Sequence, residues 1–146
     1  MKEDCCGARL PAIGDYGPNP LIVNIQCLAK QNPFFRTTLW TGTHMQLTLM
    51  SIPPQGEIGL EMHPDVDQFI RVEAGCGLVM MGESPETMYC RQAVEANFGV
   101  VIPAGTWHNL VNTGSAPLKL VSAYAPPQHP FGTVHKTKEE ADAAED

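Results

Sequence analysis

The sequence predicts an all-β protein folded as a single barrel or sandwich. Thirteen Gly and thirteen Pro interrupt the chain at short intervals. The segments between them are short runs rich in Val, Ile, Leu, Thr and Met, which is the composition of strands. A length of 146 residues suits one domain and not two ordinary ones. We therefore expect a single domain over residues 1–146, with its barrel core at about 45–125.

Eight strands are predicted in chain order, separated by turn signals such as Pro-Pro-Gln-Gly and Asn-Thr-Gly. They cover residues 45–52, 59–63, 68–72, 77–81, 88–94, 99–102, 107–111 and 118–124. Eight short strands with tight connections are typical of a closed barrel or jelly roll, since closure removes exposed sheet edges.

Two short helices are predicted outside the strands. The first follows Asn24 and ends at Asn32, because Pro33 comes next. The second follows Thr137, which has capping-box spacing to Glu140. The chain from there to the C-terminus is rich in Ala and acidic residues without apolar periodicity, so it is expected to be exposed and frayed.

The N-terminal segment is too apolar to be a free arm. It carries Ile22, Val23, Phe34, Phe35 and Trp40 among its Pro and Gly residues. We expect it to wrap the barrel or a neighbouring subunit, which favours a homodimer.

Charge and composition exclude several classes of partner. Nine Lys and Arg are outnumbered by sixteen Asp and Glu, giving a formal net charge of −7. Binding to nucleic acid or an anionic membrane by phosphate neutralisation is therefore not expected. No apolar run reaches the ~18 residues of a membrane span, and no secretion signal is visible, so a soluble cytoplasmic protein is expected.

Five cysteines are an odd number, and they do not predict a disulfide framework in such a protein. Two of them are adjacent, Cys5 and Cys6. The other three, Cys27, Cys76 and Cys90, are predicted to be small buried apolar residues.

Four polar side chains form the candidate site. Glu61 and His63 are two residues apart on a predicted strand, so they point to one face. If residues 64–67 are a hairpin loop, Gln68 lies opposite His63 with Cβ atoms ~5 Å apart. A further donor, His108, follows the turn at residues 103–105.

Two imidazoles, one carboxylate and one amide oxygen suit a divalent ion such as Zn, Fe, Mn or Ni. They do not suit copper(I) or an iron–sulfur cluster. Alternatives remain for three members. Glu61 would be a general base if the other three residues bind the ion. Gln68 could equally orient water or substrate by hydrogen bonding instead of binding the ion. His63, taken alone, would be interpreted as a hydrogen-bonded interior histidine.

Residues 56–75 and 97–112 resemble the first and second motifs of the cupin superfamily. The second motif is matched by Pro103, Gly105, His108 and Asn112. Asn97 stands where a Gly is usual, which is a mild change because Asn tolerates positive φ.

The first motif is matched by His63 and Gly75 but departs at two positions. Glu61 stands where the first His is usual, and Gln68 stands where a Glu is usual. Both replacements are competent oxygen donors and the pair keeps one carboxylate, which favours an altered metal site over a lost one.

The resemblance implies a small β-barrel or double-stranded jelly roll with one divalent ion inside, and implies that the chain dimerises. As a set, the ligands are similar to the zinc ligands of phosphomannose isomerases, with amide and carboxylate in reversed order. Zinc is thus the expected ion. The leading expectation is a metal-dependent enzyme for a small polar metabolite, most concretely a sugar isomerase of the mannose-6-phosphate type. A metal-dependent dioxygenase and a non-enzymatic metabolite-binding barrel are the alternatives.

Other charged residues lie outside the two motifs, among them Arg36, Arg71, His135 and Lys136. Solvated surface is the simpler interpretation of these four, and contact with an anionic substrate is the alternative. His44 and His129 likewise match neither motif.

Overall fold

The computed structural model describes residues 10–144. In chain order its elements are α1 (Ile25–Gln31), β1 (Arg36–Thr41), β2 (Gln46–Ile52), β3 (Asp67–Ala74), β4 (Cys76–Gly82), β5 (Cys90–Glu95), β6 (Gly99–Ile102), β7 (Trp107–Asn112), β8 (Leu118–Ala125), β9 (Val134–His135) and α2 (Lys138–Ala144). None of the helices in this part of the chain is long and apolar enough to cross a membrane.

The strands form two antiparallel sheets. One has six strands in the order β6-β3-β8-β2-β1-β9, and the other has three in the order β5-β4-β7. The two sheets face each other around one apolar core, which contains Val72, Leu118 and Leu120 of the larger sheet with Val79 and Leu110 of the smaller. The predicted all-β jelly roll is therefore confirmed.

Two differences from the predicted strands bear on the site. Residues 59–63 do not form a regular strand; the segment has one isolated bridge, Glu61 to His108, and a second, Glu57 to Val111, lies just before it. Conversely, β1 and β9 were not predicted. The sequence of β1 resembles a polar loop because it begins with Arg36, Thr37 and Thr38, although all three are buried. The strand β9 is only two residues long and leaves no recognisable pattern.

Both helices begin where the capping signals predict. The Asn24 side chain accepts a hydrogen bond from Cys27 N at 3.1 Å, and α1 ends before Pro33. At α2, Thr137 Oγ1 accepts from Glu140 N at 3.2 Å. The tail is a regular helix as far as Ala144 and is not frayed there, and Ala141 is buried against the core, although most other residues of α2 are exposed as expected.

The N-terminal segment covers the outer face of the larger sheet, as predicted. Leu28 and Ala29 of α1 pack on Leu39, Leu49 and Val121, which point away from the barrel interior. Residues before α1, including Leu10, Tyr16 and Leu21, extend the same cluster.

The cysteines differ from the prediction in two respects. Cys27 is fully buried but is disulfide-bonded instead of free. Cys76 is a free thiol and is exposed, while Cys90 is free and half-buried. Cys5 and Cys6 lie outside the described residues.

The barrel interior changes from apolar to polar along the strands. The rows follow the register between neighbouring strands; the first crosses β8 and β2, and the other three cross β3, β8 and β2. Starting from the apolar end, the rows are Leu118 with Ile52, then Val72 with Leu120 and Met50, then Ile70 with Ser122 and Thr48, and finally Gln68 with Tyr124 and Gln46. Because side chains on one face recur every second residue, the register alone gathers the buried polar groups at one end.

Candidate metal centre

Three of the four predicted site residues meet at the polar end of the barrel. One side-chain ligand atom from each of Glu61, His63 and His108 lies within 4.8 Å of the others. Glu61 Oε1 is 3.7 Å from His63 Nε2, and Glu61 Oε2 is 3.5 Å from His108 Nε2. The two imidazole rings are 5.5 Å apart between centroids.

The backbone brings these residues together in a way the sequence did not predict. Glu61 N donates to His108 O at 3.0 Å, and His108 N donates to Glu61 O at 2.9 Å. The segment before His63 therefore lies along β7, and the predicted hairpin placing it against β3 is wrong. Gly105 N donates to His63 O at 2.8 Å, which also ties His63 to the turn before β7.

The hydrogen bond at Nδ1 of His108 fixes the protonation of the other ring nitrogen, Nε2, which faces Glu61. His108 Nδ1 lies 2.9 Å from Thr106 O. Because a carbonyl oxygen only accepts, Nδ1 carries the proton and Nε2 of the neutral ring is an unprotonated acceptor. This lone pair faces a carboxylate, an arrangement that a cation between them would stabilise and that is common for metal-binding histidines.

Buried polar atoms without hydrogen-bond partners support the same interpretation. Within residues 10–144, they include Nε2 of His63, Nε2 of His108 and Oε1 of Gln68. Leaving such groups unpaired is costly in a folded protein. Two imidazoles and a carboxylate are present in the cluster, and an amide oxygen follows five residues after His63 in the sequence. This donor set fits a divalent ion of the Zn, Fe, Mn or Ni type.

Gln68 reaches the interior from the other sheet. Its side chain is buried, and Nε2 donates to Ser122 Oγ at 3.4 Å while Oε1 has no partner within the described chain. Gln68 pairs with Tyr124 on β8, and the Tyr124 ring is 6.1 Å from that of His63. Its role as a ligand stays a prediction.

The Glu61 carboxyl is held in its ionised form. Burial would raise its pKa, but the imidazoles of His108 and His63, when protonated, donate to the carboxylate, outweigh burial and lower the pKa to about 2; a cation bound between the neutral rings and Glu61 would hold the carboxylate ionised in the same way. An ionised carboxylate at neutral pH is the form that binds a cation.

A cavity of about 620 Å³ opens beside the cluster. Glu61 and His63 line it together with Trp107, His129 and His135. Its volume is in the range of small-molecule sites.

His129 was not predicted as a site residue, because it lies beyond both motifs. Its ring packs edge-on against Tyr124 at 5.2 Å, and its Nε2 has no partner within the described chain. The fully buried Gln46 holds its backbone: Gln46 Oε1 accepts from His129 N at 2.9 Å and Nε2 donates to His129 O at 2.8 Å. Burial raises the pKa of Tyr124 to about 12, so this phenol is neutral.

The two arginines differ from each other: the expectation of solvated surface is wrong for Arg36, whereas the Arg71 side chain is 39% exposed. Arg36 is only 2% exposed. Arg71 pairs with the buried Glu73 and donates from Nη2 to Asn97 Oδ1 at 2.8 Å. Arg71 therefore belongs to the opposite end of the barrel, whereas Arg36 lies near the site.

The sequence model of the Cupin domain family matches residues 48–124, which is more than half of the chain. The chain belongs to the cupin family. Asn97, where a Gly is usual, has φ 78°, and the matched positions Gly75 and Gly105 have φ 94° and 84°, so all three use the positive-φ region.

Individual relatives extend the similarity beyond the matched region. Uncharacterized protein YrkC of Bacillus subtilis is 58% identical over 132 residues, which is 90% of this chain and 71% of that protein. Uncharacterized protein L612 of Acanthamoeba polyphaga mimivirus is 38% identical over 114 residues, covering 77% and 69%. The crystal structure of BH2720 from Bacillus halodurans superimposes with a TM-score of 0.89 at 55% identity, covering 90% of this chain and 99% of that one.

Proposed function

We propose that this cupin is a metal-dependent enzyme acting on a small polar metabolite. The supporting observation is that Glu61, His63 and His108 offer ligand atoms within 4.8 Å of one another beside a cavity of about 620 Å³. Glu61 and the two histidines would hold the ion, which when bound supplies Lewis-acid chemistry to substrate oxygens. The cavity walls would bind and orient the substrate.

Sugar isomerisation is the most concrete version. It is supported by Oε1 of Gln68, which has no hydrogen-bond partner within the described chain, would add an amide oxygen to the set and would give the ligand types of phosphomannose isomerases. Zinc is the ion expected in this case. With Glu61 bound to the ion, a different group must move the proton between the substrate carbons.

Dioxygen chemistry is the second candidate. It is supported by the grouping of two histidines and one carboxylate without Gln68, because this set on iron leaves positions for substrate and oxygen. The two versions therefore differ in the role of Gln68 and in the ion.

Elemental analysis of protein purified without added metal tests the proposal. Near-stoichiometric metal in the wild type, lost in His63→Ala and His108→Ala, is the expected result. His44→Ala is the matched control, because His44 is exposed and lies outside the cluster. A wild type that binds no Zn, Fe, Mn or Ni when these are offered would overturn it.

The bound ion then directs the reaction assays. Zinc, together with weaker zinc binding by Gln68→Ala, favours aldose–ketose interconversion assays. Iron or nickel retained by Gln68→Ala favours oxygen-consumption assays. Tight metabolite binding without turnover in either assay would favour the non-enzymatic barrel. The homodimer stays a prediction, which sedimentation equilibrium would test.

A further inference from the structure

A further imidazole lies at the polar end of the barrel, outside the candidate metal cluster. His129 lines the cavity of about 620 Å³ together with Glu61 and His63. Among the described residues, the cluster whose ligand atoms lie within 4.8 Å of one another contains Glu61, His63 and His108 but not His129. His129 therefore shares the cavity without belonging to this ligand set, and a molecule bound in the cavity is what it can contact.

The Tyr124 ring packs against both His129 and the cluster. Its centroid is 6.1 Å from that of the His63 ring and 5.2 Å from that of the His129 ring, and both contacts are edge-on. A single aromatic ring thus connects His129 to a histidine of the cluster. A small molecule that binds the ion with one end therefore needs only a few further atoms to reach His129.

A fully buried amide is committed to holding the backbone around His129. Gln46 Oε1 accepts from His129 N at 2.9 Å and from Gln128 N at 3.1 Å. Gln46 Nε2 donates to His129 O at 2.8 Å and to Thr41 Oγ1 at 3.0 Å. The barrel strand β2 thereby fixes a residue that lies in a connection between strands, which is the usual construction of a binding residue on a rigid scaffold.

The ring of His129 is left with hydrogen-bonding capacity that a hydroxyl would satisfy. Its Nε2 is buried and has no hydrogen-bond partner among residues 10–144. Burial and the charge of Arg36 lower the pKa of His129 to about 3, so the ring is neutral at neutral pH. A neutral imidazole has one N–H donor and one acceptor nitrogen, and a hydroxyl likewise donates and accepts. A ligand hydroxyl therefore suits the ring in either tautomer.

We propose that His129 hydrogen-bonds a hydroxyl group of the metabolite and makes the cavity selective for polyhydroxylated ligands. This inference rests on the proposed function, because other oxygens of the same metabolite would lie on the ion held by Glu61, His63 and His108. It narrows the substrate class to sugar-like compounds. His129 is the residue that touches the ligand, and Gln46 is a positioning residue that acts through it.

The test compares D-erythronate with (R)-2-hydroxybutyrate, two four-carbon acids that differ only in the hydroxyls at C3 and C4. Both probes offer the same carboxylate and C2 hydroxyl to the ion and carry the same charge. The ratio of their dissociation constants therefore reports the added hydroxyls alone. Calorimetric titration of the zinc-loaded full chain measures both constants. The wild type is expected to prefer D-erythronate by about fivefold, the factor that one net hydrogen bond contributes.

The variant His129→Phe keeps an aromatic ring against Tyr124 and removes both ring nitrogens. The preference for D-erythronate should disappear in it while the zinc content stays unchanged. His44→Phe is the matched control and should keep the full preference, because His44 is exposed and lies outside the cavity. A merely structural role of His129 would weaken both probes by the same factor and leave their ratio as it is. If His129→Phe does not fold, the same comparison in His129→Ala decides.

A wild type that binds both probes equally overturns this inference, as does an unchanged preference in the folded, zinc-bound variant. Metal content separates these failures from a failure of the proposed function. Stoichiometric zinc without a preference that depends on His129 overturns this inference alone. A chain that binds none of the offered ions overturns the proposed function and this inference together.

Discussion

The two ends of the barrel interior are built from the same strands but differ in what they bury. At the closed end, Ile52, Val72, Leu118 and Leu120 fill the space between the sheets, and a Cβ built on Gly77 would come within 2.9 Å of Leu110 Cδ1. At the open end the same strands bury Gln46, Gln68 and Tyr124, and a cavity remains.

The difference shows where stability and chemistry are located in this fold. The closed end is packed with apolar side chains, which is the main source of folding free energy. The open end contains buried polar atoms that have no hydrogen-bond partner among residues 10–144, at His63, Gln68, His108 and His129. Such groups destabilise a fold unless a ligand satisfies them, so the open end is expected to gain stability from binding.

The largest effect is expected at the closed end. Leu120→Ala removes a fully buried side chain from the apolar core and should lower the free energy of unfolding by about 2–5 kcal/mol. Urea unfolding measures this change. Val101→Ala, on the exposed face of β6, is the matched control and should stay within about 0.5 kcal/mol. A Leu120→Ala protein that also loses its metal while folded would contradict the separation of the two ends.

The second effect concerns metal at the open end. Zinc at about a hundred times its dissociation constant should stabilise the wild type by about 2.7 kcal/mol and should not stabilise His63→Ala. Thermal unfolding with zinc and with EDTA gives the difference. His44→Ala should keep the full zinc-dependent rise, and a similar rise in His63→Ala would place zinc elsewhere.

The third effect is the pH dependence contributed by His129. Burial and the charge of Arg36 lower the pKa of His129 to about 3, against a smaller opposing effect of Glu61. Between about pH 6.5 and about pH 3, His129 is therefore protonated in the unfolded chain but not in the native state, so the free energy of unfolding falls as the pH falls. The slope from this residue is at most about 1.4 kcal/mol per pH unit.

Replacement His129→Gln should remove this slope. Urea unfolding of metal-free wild type and His129→Gln at about pH 7 and about pH 4.5 should show the wild type losing more stability on acidification. His44→Gln is the surface control. Equal losses in wild type and His129→Gln would mean that His129 is protonated freely in the native state.

The smallest effect is expected at the turn before β6. Asn97 has φ 78°, and its Oδ1 accepts a hydrogen bond from Arg71. Asn97→Ala should cost about 1 kcal/mol, because Ala is disfavoured at positive φ, whereas Asn97→Gly should cost less. Thermal unfolding ranks the two variants, and metal content should be unchanged in both. Equal losses in the two variants would assign the stabilisation to the Arg71 contact, which both variants remove, and would contradict the role of the positive φ.

Much of the fold was predictable because its signals are local. Alternating apolar residues mark β2, β3, β7 and β8, and the caps at Asn24 and Thr137 mark the helix starts. The strand β1 was missed since its buried Arg36 and threonines look polar. Their burial depends on α1, β2 and β9, which are distant in sequence or too short to recognise.

The sequence predicted which residues form the candidate site but not which backbone segments bring them together. Glu61, His63 and His108 were identified from residue type and motif spacing, and they do converge. The hairpin that was to join His63 with Gln68 does not form, because Glu61 hydrogen-bonds to His108 on β7 instead. His129 and Arg36 carried no motif that could have revealed them.

The sequence by itself determined the strand pattern, the cupin motifs and the kinds of ligand atom available, since these depend on residue type and short spacing. Only the tertiary structure decided which side chains share a cavity, that Arg36 is buried, and that His129 is held beside the site by Gln46. Those properties arise from register and packing between segments as far apart as Arg36 and His135, and no short stretch of sequence encodes such a contact.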